Sequence, residues 1–221
     1  RLGNGWRIVI TRQALVSLVA LGAVSLVTAC SNTETGSPSA AESSSASAEV
    51  SGSTPIPEQL DIEPFLSRPC DVVSSSTLQS LGYEAEGDEG LPGSDSVEQE
   101  IAGLAGPYCG WYAAGDESRV LTVTLLSSDS TQGEDALEHA RSLHSEGLLQ
   151  LWEETSVSGY PAAYWGIQDN RSRGDCSLMA SLSEKAFFSV GASLYLDNPG
   201  DACVHADQVA QDVIRSIKGE V

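Results

Sequence analysis

The alternation of apolar and polar residues predicts several strands after residue 57. Residues 120–126 alternate with a period of two, which is typical of an antiparallel strand with one buried face. Residues 108–113 and 162–167 predict further strands, and residues 176–182 with 186–196 predict a hairpin. In the second strand of this hairpin, the positions expected on the core face are Phe188, Val190, Ala192, Leu194 and Leu196.

A helical period and helix-ending residues predict helices around these strands. Residues 64–81 predict a short helical entry, with Ser76 or Thr77 as the N-cap and Gly82 at the end. Residues 83–107 are rich in Gly, Glu, Asp and Ser and are expected to be mostly loop.

Two amphipathic helices follow. The first covers residues 134–151, and its apolar stripe contains Leu137, Ala140, Leu143 and Leu148. The second runs from the N-cap Asp201 to about Lys218 and ends at Gly219. Together with the strands they predict an α+β domain, an antiparallel sheet with helices packed on one face.

The N-terminal segment carries a different pattern. Residues 1–12 contain three arginines and no acidic residue, residues 14–29 are uncharged, and the apolar run closes on Thr28-Ala29-Cys30. This resembles the signal peptide and lipobox of a bacterial lipoprotein. A transmembrane helix would need about 20 apolar residues, and an ordinary secretory signal with an incidental cysteine is the other alternative. The resemblance implies cleavage before Cys30, acylation of Cys30 with palmitate, and location on the outer face of the cytoplasmic membrane.

The pattern divides the chain into three parts. Residues 1–29 are the predicted signal peptide, and residues 30–56 contain the acylated cysteine and a disordered linker rich in Ser and Ala. Residues 57–221 are long enough for a single domain with its own core.

Four cysteines lie in the predicted domain, and an exported location makes disulfides the default. Four cysteines allow three pairings. We favour the sequential one, Cys70–Cys109 and Cys176–Cys203. A metal site is the rival interpretation, but no two cysteines have Cys-x-x-Cys spacing and the histidines are not grouped near them.

The charge is strongly negative, with 31 acidic and 11 basic residues and a formal net charge of −20. Removal of residues 1–29 would take away three arginines and no acid. Such a chain is not expected to bind nucleic acid, because that binding depends on Lys and Arg meeting phosphates.

No motif predicts a reaction. His139 and His144 are five residues apart and do not share a helical face, and His205 stands alone in the last predicted helix. No Gly-x-Ser-x-Gly or His-Glu-x-x-His run occurs. We therefore expect no enzymatic activity, no cofactor and no metal. A pair of catalytic carboxylates, as in glycosidases, is recognised by the distance between the two groups, which the sequence does not give.

The aromatic residues of the strands are the candidate binding groups. Strand alternation places Trp111 and Tyr112 on opposite faces, and likewise Tyr164 and Trp165, so about half of the aromatic set should be core. The tentative binding residues are Tyr112, Tyr160 and Tyr164.

The order of short motifs resembles a known family. Pro69-Cys70, Leu81-Gly82, Cys109-Gly110-Trp111, residues 157–162 (Val-Ser-Gly-Tyr-Pro-Ala), Cys176 and Cys203 follow one another behind the lipobox. This order is similar to the actinobacterial lipoproteins grouped as DUF3558 (domain of unknown function 3558). The resemblance implies an exported envelope protein with two disulfides, and by analogy a fold like that of Mog1p or PsbP; the family brings no established activity.

The expected function is that of a lipid-anchored cell-envelope protein that binds a ligand or a protein. The alternatives are an accessory component of an envelope or secretion complex and, ranked last, an envelope hydrolase.

Overall fold

The computed structural model describes residues 55–91, 106–127 and 136–221, and the fold is given for those ranges. The chain divides into two units, Arg1–Glu49 and Val50–Val221, and every described residue belongs to the second. The predicted signal peptide, Cys30 and the linker up to residue 54 lie outside the described residues.

Seven antiparallel strands form one sheet in the described ranges. In chain order they are β1 Asp88–Gly90, β2 Tyr108–Ala113, β3 Asp116–Ser127, β4 Leu151–Val157, β5 Tyr160–Gly166, β6 Cys176–Ser181 and β7 Ala186–Ser193. Across the sheet the order is β1-β2-β3-β7-β6-β5-β4. Two meanders therefore meet where β3 pairs with β7, with Val123 opposite Val190.

Three α-helices accompany the sheet in the same part of the chain. They are α1 Ser75–Ser80, α2 Ala136–Ser145 and α3 Asp201–Lys218. Short 3-10 turns at Glu63–Phe65, Pro69–Val72 and Arg171–Arg173 complete the regular structure. The predicted α+β class with an antiparallel sheet is confirmed.

The main core lies between α3 and one face of the sheet. The inward side chains include Trp111 of β2, Leu121 of β3 and Phe188 of β7, and α3 contributes Val213 and Ile214. Burial of these large side chains supplies most of the driving force for folding.

Two carboxylates of α3, one of them fully buried, hold the helix over this face. The carboxylate of Asp212 is fully buried and accepts hydrogen bonds from the backbone N–H of Ser74, at 2.7 Å, and from Nη2 of Arg215, at 2.6 Å. The hydroxyl of Tyr164 on β5 donates to Asp207 of α3 at 2.7 Å. These bonds satisfy groups that would be costly to bury alone.

The helix α2 packs on the opposite face of the sheet. Ala163 of β5 pairs with Met179 of β6, and both belong to a second, smaller cluster with Leu137 and Ala140 of α2. The residues that alternate with them, such as Leu178, belong to the main core. Helices therefore lie on both faces, whereas the sequence predicts them on one, because outward positions of β5 and β6 are apolar and bury the stripe of α2.

Both predicted disulfides are present. Cys70 is bonded to Cys109, which attaches the 3-10 turn Pro69–Val72 to β2. Cys176 is bonded to Cys203, which attaches the first turn of α3 to the start of β6.

The helix predicted over residues 134–151 is shorter in the structure. It ends at Ser145 because the chain reverses at Gly147, whose φ of +79° suits glycine. Leu148, predicted in the apolar stripe, is 58% exposed. The strand β4 follows directly and is missing from the prediction.

Other boundaries also differ. The N-cap of α1 is Ser74, whose hydroxyl accepts from the backbone N–H of Thr77 at 3.2 Å, and not Ser76 or Thr77. The N-cap of α3 is Gly200, with Asp201 as the first helical residue. The strand β1 lies within the segment predicted as loop.

Candidate functional site

Four side chains from separate elements converge near the start of β3, beyond the end of β7. Tyr83 follows α1, Arg119 belongs to β3, Tyr195 follows β7 and His205 lies in α3. The hydroxyls of Tyr83 and Tyr195 are hydrogen-bonded to each other, and the Tyr195 hydroxyl is bonded to Nδ1 of His205 at 2.9 Å. We call these four residues the Arg119 cluster.

A local backbone reversal places Tyr195 in the cluster. Leu194 adopts a left-handed conformation with φ +66°, which turns the next side chain inward. The N–H of Leu194 donates to the carboxylate of Asp175 and that of Tyr195 donates to the carbonyl of Gly174, both at 3.0 Å. These bonds hold the reversal in place.

The reversal overturns the predicted core face of this strand beyond Ala192. The prediction placed Leu194 and Leu196 in the core, but they are 44% and 69% exposed, and Tyr195 is buried instead. Strand alternation holds only while the backbone stays extended, and β7 ends at Ser193.

The other members are positioned by nearby constraints. The backbone N–H of Tyr83 donates to the carbonyl of Leu78 at 2.9 Å, and Tyr83 forms a bridge with Ala113 at the end of β2. His205 lies two residues after Cys203, so the disulfide to Cys176 fixes its turn of α3 against the sheet.

Arg119 lies against the two tyrosine rings. Its guanidinium carbon is 5.5 Å from the ring centroid of Tyr83 and 5.3 Å from that of Tyr195, within the range of cation–π attraction. Its Nε is buried and has no hydrogen-bond partner.

No carboxylate forms an ion pair with Arg119 among the residues that the structure describes. Most of the other described arginines do form an ion pair. A guanidinium nitrogen lies within 2.8 Å of a carboxylate oxygen in Arg68, Arg141, Arg171 and Arg215. Asp116 acts on Arg119 electrostatically and accepts a hydrogen bond from its backbone N–H, but it does not form an ion pair with the guanidinium.

The cluster keeps its other groups neutral near pH 7. Burial raises the pKa of Tyr83, and burial together with the hydrogen bond that Tyr195 donates to Tyr83 raises the pKa of Tyr195. Burial lowers the pKa of His205; Asp201 opposes this shift and the positive charge of Arg119 adds to it. Neither hydroxyl is therefore prepared to act as a nucleophile or a base, and Arg119 carries the charge of the cluster.

The sequence contains one signal for this site that the strand prediction did not use. Leu121, Val123 and Leu125 face the main core. Arg119 lies two positions before Leu121 and is therefore expected on the same face of β3. A charged residue at a core-facing position is a candidate functional residue, because burying an unpaired charge is costly. The partners of Arg119 could not be identified this way, since they come from distant segments.

The three tentative binding tyrosines do not form a common site. Tyr160 is fully buried, and the ammonium of Lys218 lies 5.3 Å from its ring centroid. Tyr164 faces the same core, and its hydroxyl donates a hydrogen bond to Asp207. Burial, together with this bond, raises the pKa of Tyr164. Both side chains pack in or against the main core, and their role in binding stays a prediction.

Tyr112 remains a candidate on the opposite face from Trp111, as the alternation predicts. Its side chain is 42% exposed and borders an open cavity of about 1000 Å³ together with Glu84, Gly115 and Asp116.

The described residues contain no group of three or more His, Cys, Asp or Glu side chains that could hold a metal ion. His139 lies on α2, and His144 on the same helix bonds the carbonyl of Leu149 through Nδ1 at 2.9 Å. That contact joins the end of the helix to the chain that leads into β4.

Comparison with protein families identifies the chain. Residues 25–216 match the model of a family described as protein of unknown function (DUF3558). The chain belongs to the DUF3558 family. The match includes all four members of the Arg119 cluster and both disulfides of this DUF3558 domain.

Searches of curated proteins and of solved structures found no significant match to the chain. Among the described residues of this DUF3558 protein, none of the helices has the length and apolar character needed to cross a membrane.

Proposed function

We propose that this DUF3558 protein is an exported, lipid-anchored binding domain on the outer face of the cytoplasmic membrane of an actinobacterium. Acyl chains on Cys30 would hold it there. The location is supported by the lipobox-like residues 26–30 and by the two disulfides, which form and persist in oxidising compartments.

The observation that supports a binding role is Arg119, whose guanidinium forms no ion pair with any carboxylate that the structure describes. The guanidinium lies against two aromatic rings, and its Nε has no hydrogen-bond partner among the described residues. The neutral hydroxyls of Tyr83 and Tyr195 favour binding over covalent chemistry at this site.

Metabolic labelling with palmitate tests the anchor. We expect label on the full-length protein and none on Cys30→Ala, because an acyl chain needs this thiol. Ser31→Ala, a change at the next residue, is the matched control and should keep the label. Equal labelling of the Cys30→Ala variant would contradict the proposal.

A further inference from the structure

An open cleft of about 340 Å³ lies where the strands β5 and β6 part. The pairing between the two strands ends at Tyr164 and Leu178, although β5 continues to Gly166 and β6 begins at Cys176. In this stretch β5 stays paired with β4, and β6 stays paired with β7. The sheet itself therefore holds the gap open from both sides.

The loop between β5 and β6 forms the rim of this cleft and is held by its own hydrogen bonds. The backbone N–H groups of Arg173 and Asp175 donate to the carbonyl of Asn170 at 2.8 and 3.3 Å. The guanidinium of Arg171 pairs with the carboxylate of Glu153 on β4 at 2.8 Å. A rim that is ordered before a ligand arrives loses less entropy on binding.

Four polar side chains that line the cleft have hydrogen-bonding atoms without a partner in the described ranges. The amide of Gln168 and the hydroxyl of Ser177 make no hydrogen bond there. The amide oxygen of Asn170 accepts from Nη2 of Arg173 at 2.5 Å, which leaves its NH₂ group as a donor. One oxygen of Asp175 accepts from a backbone N–H at 3.0 Å, which leaves the other as an acceptor. The cleft thus offers both donors and acceptors.

Apolar surface lies beside these polar groups. Trp165 lines the cleft and also packs against the second cluster. Ile167, at the rim, is 71% exposed, and Leu151 of β4 adds a buried side chain to the lining. An aromatic side chain with a few converging polar groups is typical of a small-molecule site.

The charge of the cleft favours a neutral ligand. Asp175 lines it, and no lysine or arginine does so in the part of the chain that the structure describes. An anion would be repelled by this carboxylate, whereas a hydroxyl group can donate to the carboxylate and accept from an amide. A sugar ring has hydroxyls at its edge and C–H groups on its faces, and the C–H groups can pack on an aromatic ring.

We propose that the cleft between β5 and β6 binds a neutral sugar, with its hydroxyls at Gln168, Asn170 and Asp175 and the face of its ring on Trp165. The proposal goes beyond the function proposed above, because the site lies outside the Arg119 cluster and does not depend on the membrane anchor. Water competes for the hydroxyls in an open cleft, so single sugars are expected to bind in the millimolar range.

The methyl glycosides of glucose, mannose and galactose are the probes, because they differ from one another in the orientation of single hydroxyls. Each is titrated into the full chain in micelles of a sugar-free nonionic detergent. The NMR signals of the Trp165 indole N–H and of the side-chain amides of Gln168 and Asn170 are followed. We expect saturable shifts of these signals with at least one of the three sugars.

Two charged probes test the ligand class. The uronic acid of the best-bound sugar carries a carboxylate on the same ring and should bind at least threefold more weakly, because Asp175 repels it. Cyclohexylammonium has a ring and a positive charge but no hydroxyls, and it should give no saturable shift.

Variants assign the binding to the cleft. Trp165→Leu should weaken binding of the best-bound sugar at least tenfold, and Gln168→Ala should weaken it at least threefold. Gln79→Ala removes an exposed amide of α1 outside the cleft and is the matched control, which should change nothing. If Trp165→Leu fails to fold, Gln168→Ala decides alone, since its side chain is exposed.

The outcomes separate this proposal from the previous one. The absence of a saturable shift with all three sugars at millimolar concentration would overturn the sugar site, as would unchanged affinity in the cleft variants. Saturation by cyclohexylammonium alone would mean that the cleft takes organic cations instead. If palmitate labelling of Cys30 succeeds while sugar binding fails, the anchored domain stands and only the sugar site is refuted.

Discussion

At the scale of single residues, two departures from strand alternation create the candidate site. Arg119 occupies a core-facing position on β3, and Tyr195 faces inward because Leu194 is left-handed. Such a conformation costs a leucine roughly 1–2 kcal/mol, and backbone strain of this kind concentrates at functional positions.

The protonation of His205 should make folding stability depend on pH. Its pKa is lowered in the folded protein, chiefly by burial, so the unfolded chain binds its proton more readily. Neutral His205 makes its full contribution to the free energy of unfolding above the pKa of an unfolded histidine, about 6.5. This contribution is lost as the pH falls below that pKa. Denaturant unfolding of the wild type and His205→Gln between pH 7.5 and 5.5 should give a steeper loss for the wild type. A steeper loss for His205→Gln would show that the sign is wrong.

Ser158 offers a second test at this scale. The turn between β4 and β5 has positive φ values at both central residues, +50° at Ser158 and +85° at Gly159, and Asn-Gly is the preferred pair for such a turn. Ser158→Asn should raise the free energy of unfolding by up to about 1 kcal/mol. Ser158→Thr, which is β-branched, is the control and should lower it. The prediction is refuted by a lower melting temperature for Ser158→Asn.

At the scale of elements, the two disulfides attach segments that the sheet alone does not hold. One joins the turn before α1 to β2, and the other joins the first turn of α3 to β6. The second also fixes the position of His205, so an element that stabilises the fold also orders the candidate site.

Removal of either bridge should be strongly destabilising. The sequence separations are 39 residues for Cys70–Cys109 and 27 for Cys176–Cys203, and closing loops of this length contributes about 3–4 kcal/mol in the chain-entropy model. Denaturant unfolding of the two double serine variants measures the losses. Only the variant lacking Cys176–Cys203 should also broaden the His205 ring signals. A loss below about 1 kcal/mol for both variants would be inconsistent with this account.

The missed strand β4 shows the limit of local patterns. Its sequence, Leu-Trp-Glu-Glu-Thr-Ser-Val, is buried only at its two ends, Leu151 and Val157. It lies at an edge of the sheet, where Glu153 and Glu154 pair with Arg171 and Arg141. An exposed edge strand with charged side chains does not show the apolar alternation on which prediction relies.

At the scale of the whole molecule, negative charge dominates. The formal net charge of −20 arises from 31 acidic and 11 basic residues, and mutual repulsion of like charges destabilises a folded chain. Surface ion pairs such as Arg171 with Asp169 contribute little by comparison.

Salt should therefore stabilise the protein. Raising NaCl from 10 to 150 mM shortens the screening length from about 30 to about 8 Å, which reduces the repulsion more than it weakens individual pairs. The melting temperature should rise, and KCl at equal concentration should act equally. A fall in melting temperature with both salts would mean that specific ion pairs outweigh the net charge.

The amino-acid sequence by itself determined the α+β class, most of the strands and the last helix, and it favoured one of three cysteine pairings, which the structure contains. The class, the strands and the helix depend on local periodicity and on the positions of Gly and Pro. The tertiary structure decided that α2 covers the second face, that Tyr160 and Tyr164 pack in or against the main core, and that Tyr83, Arg119, Tyr195 and His205 meet. Those four residues are distant in sequence, and only the packing of the sheet against α3, with the reversal at Leu194, brings them into contact.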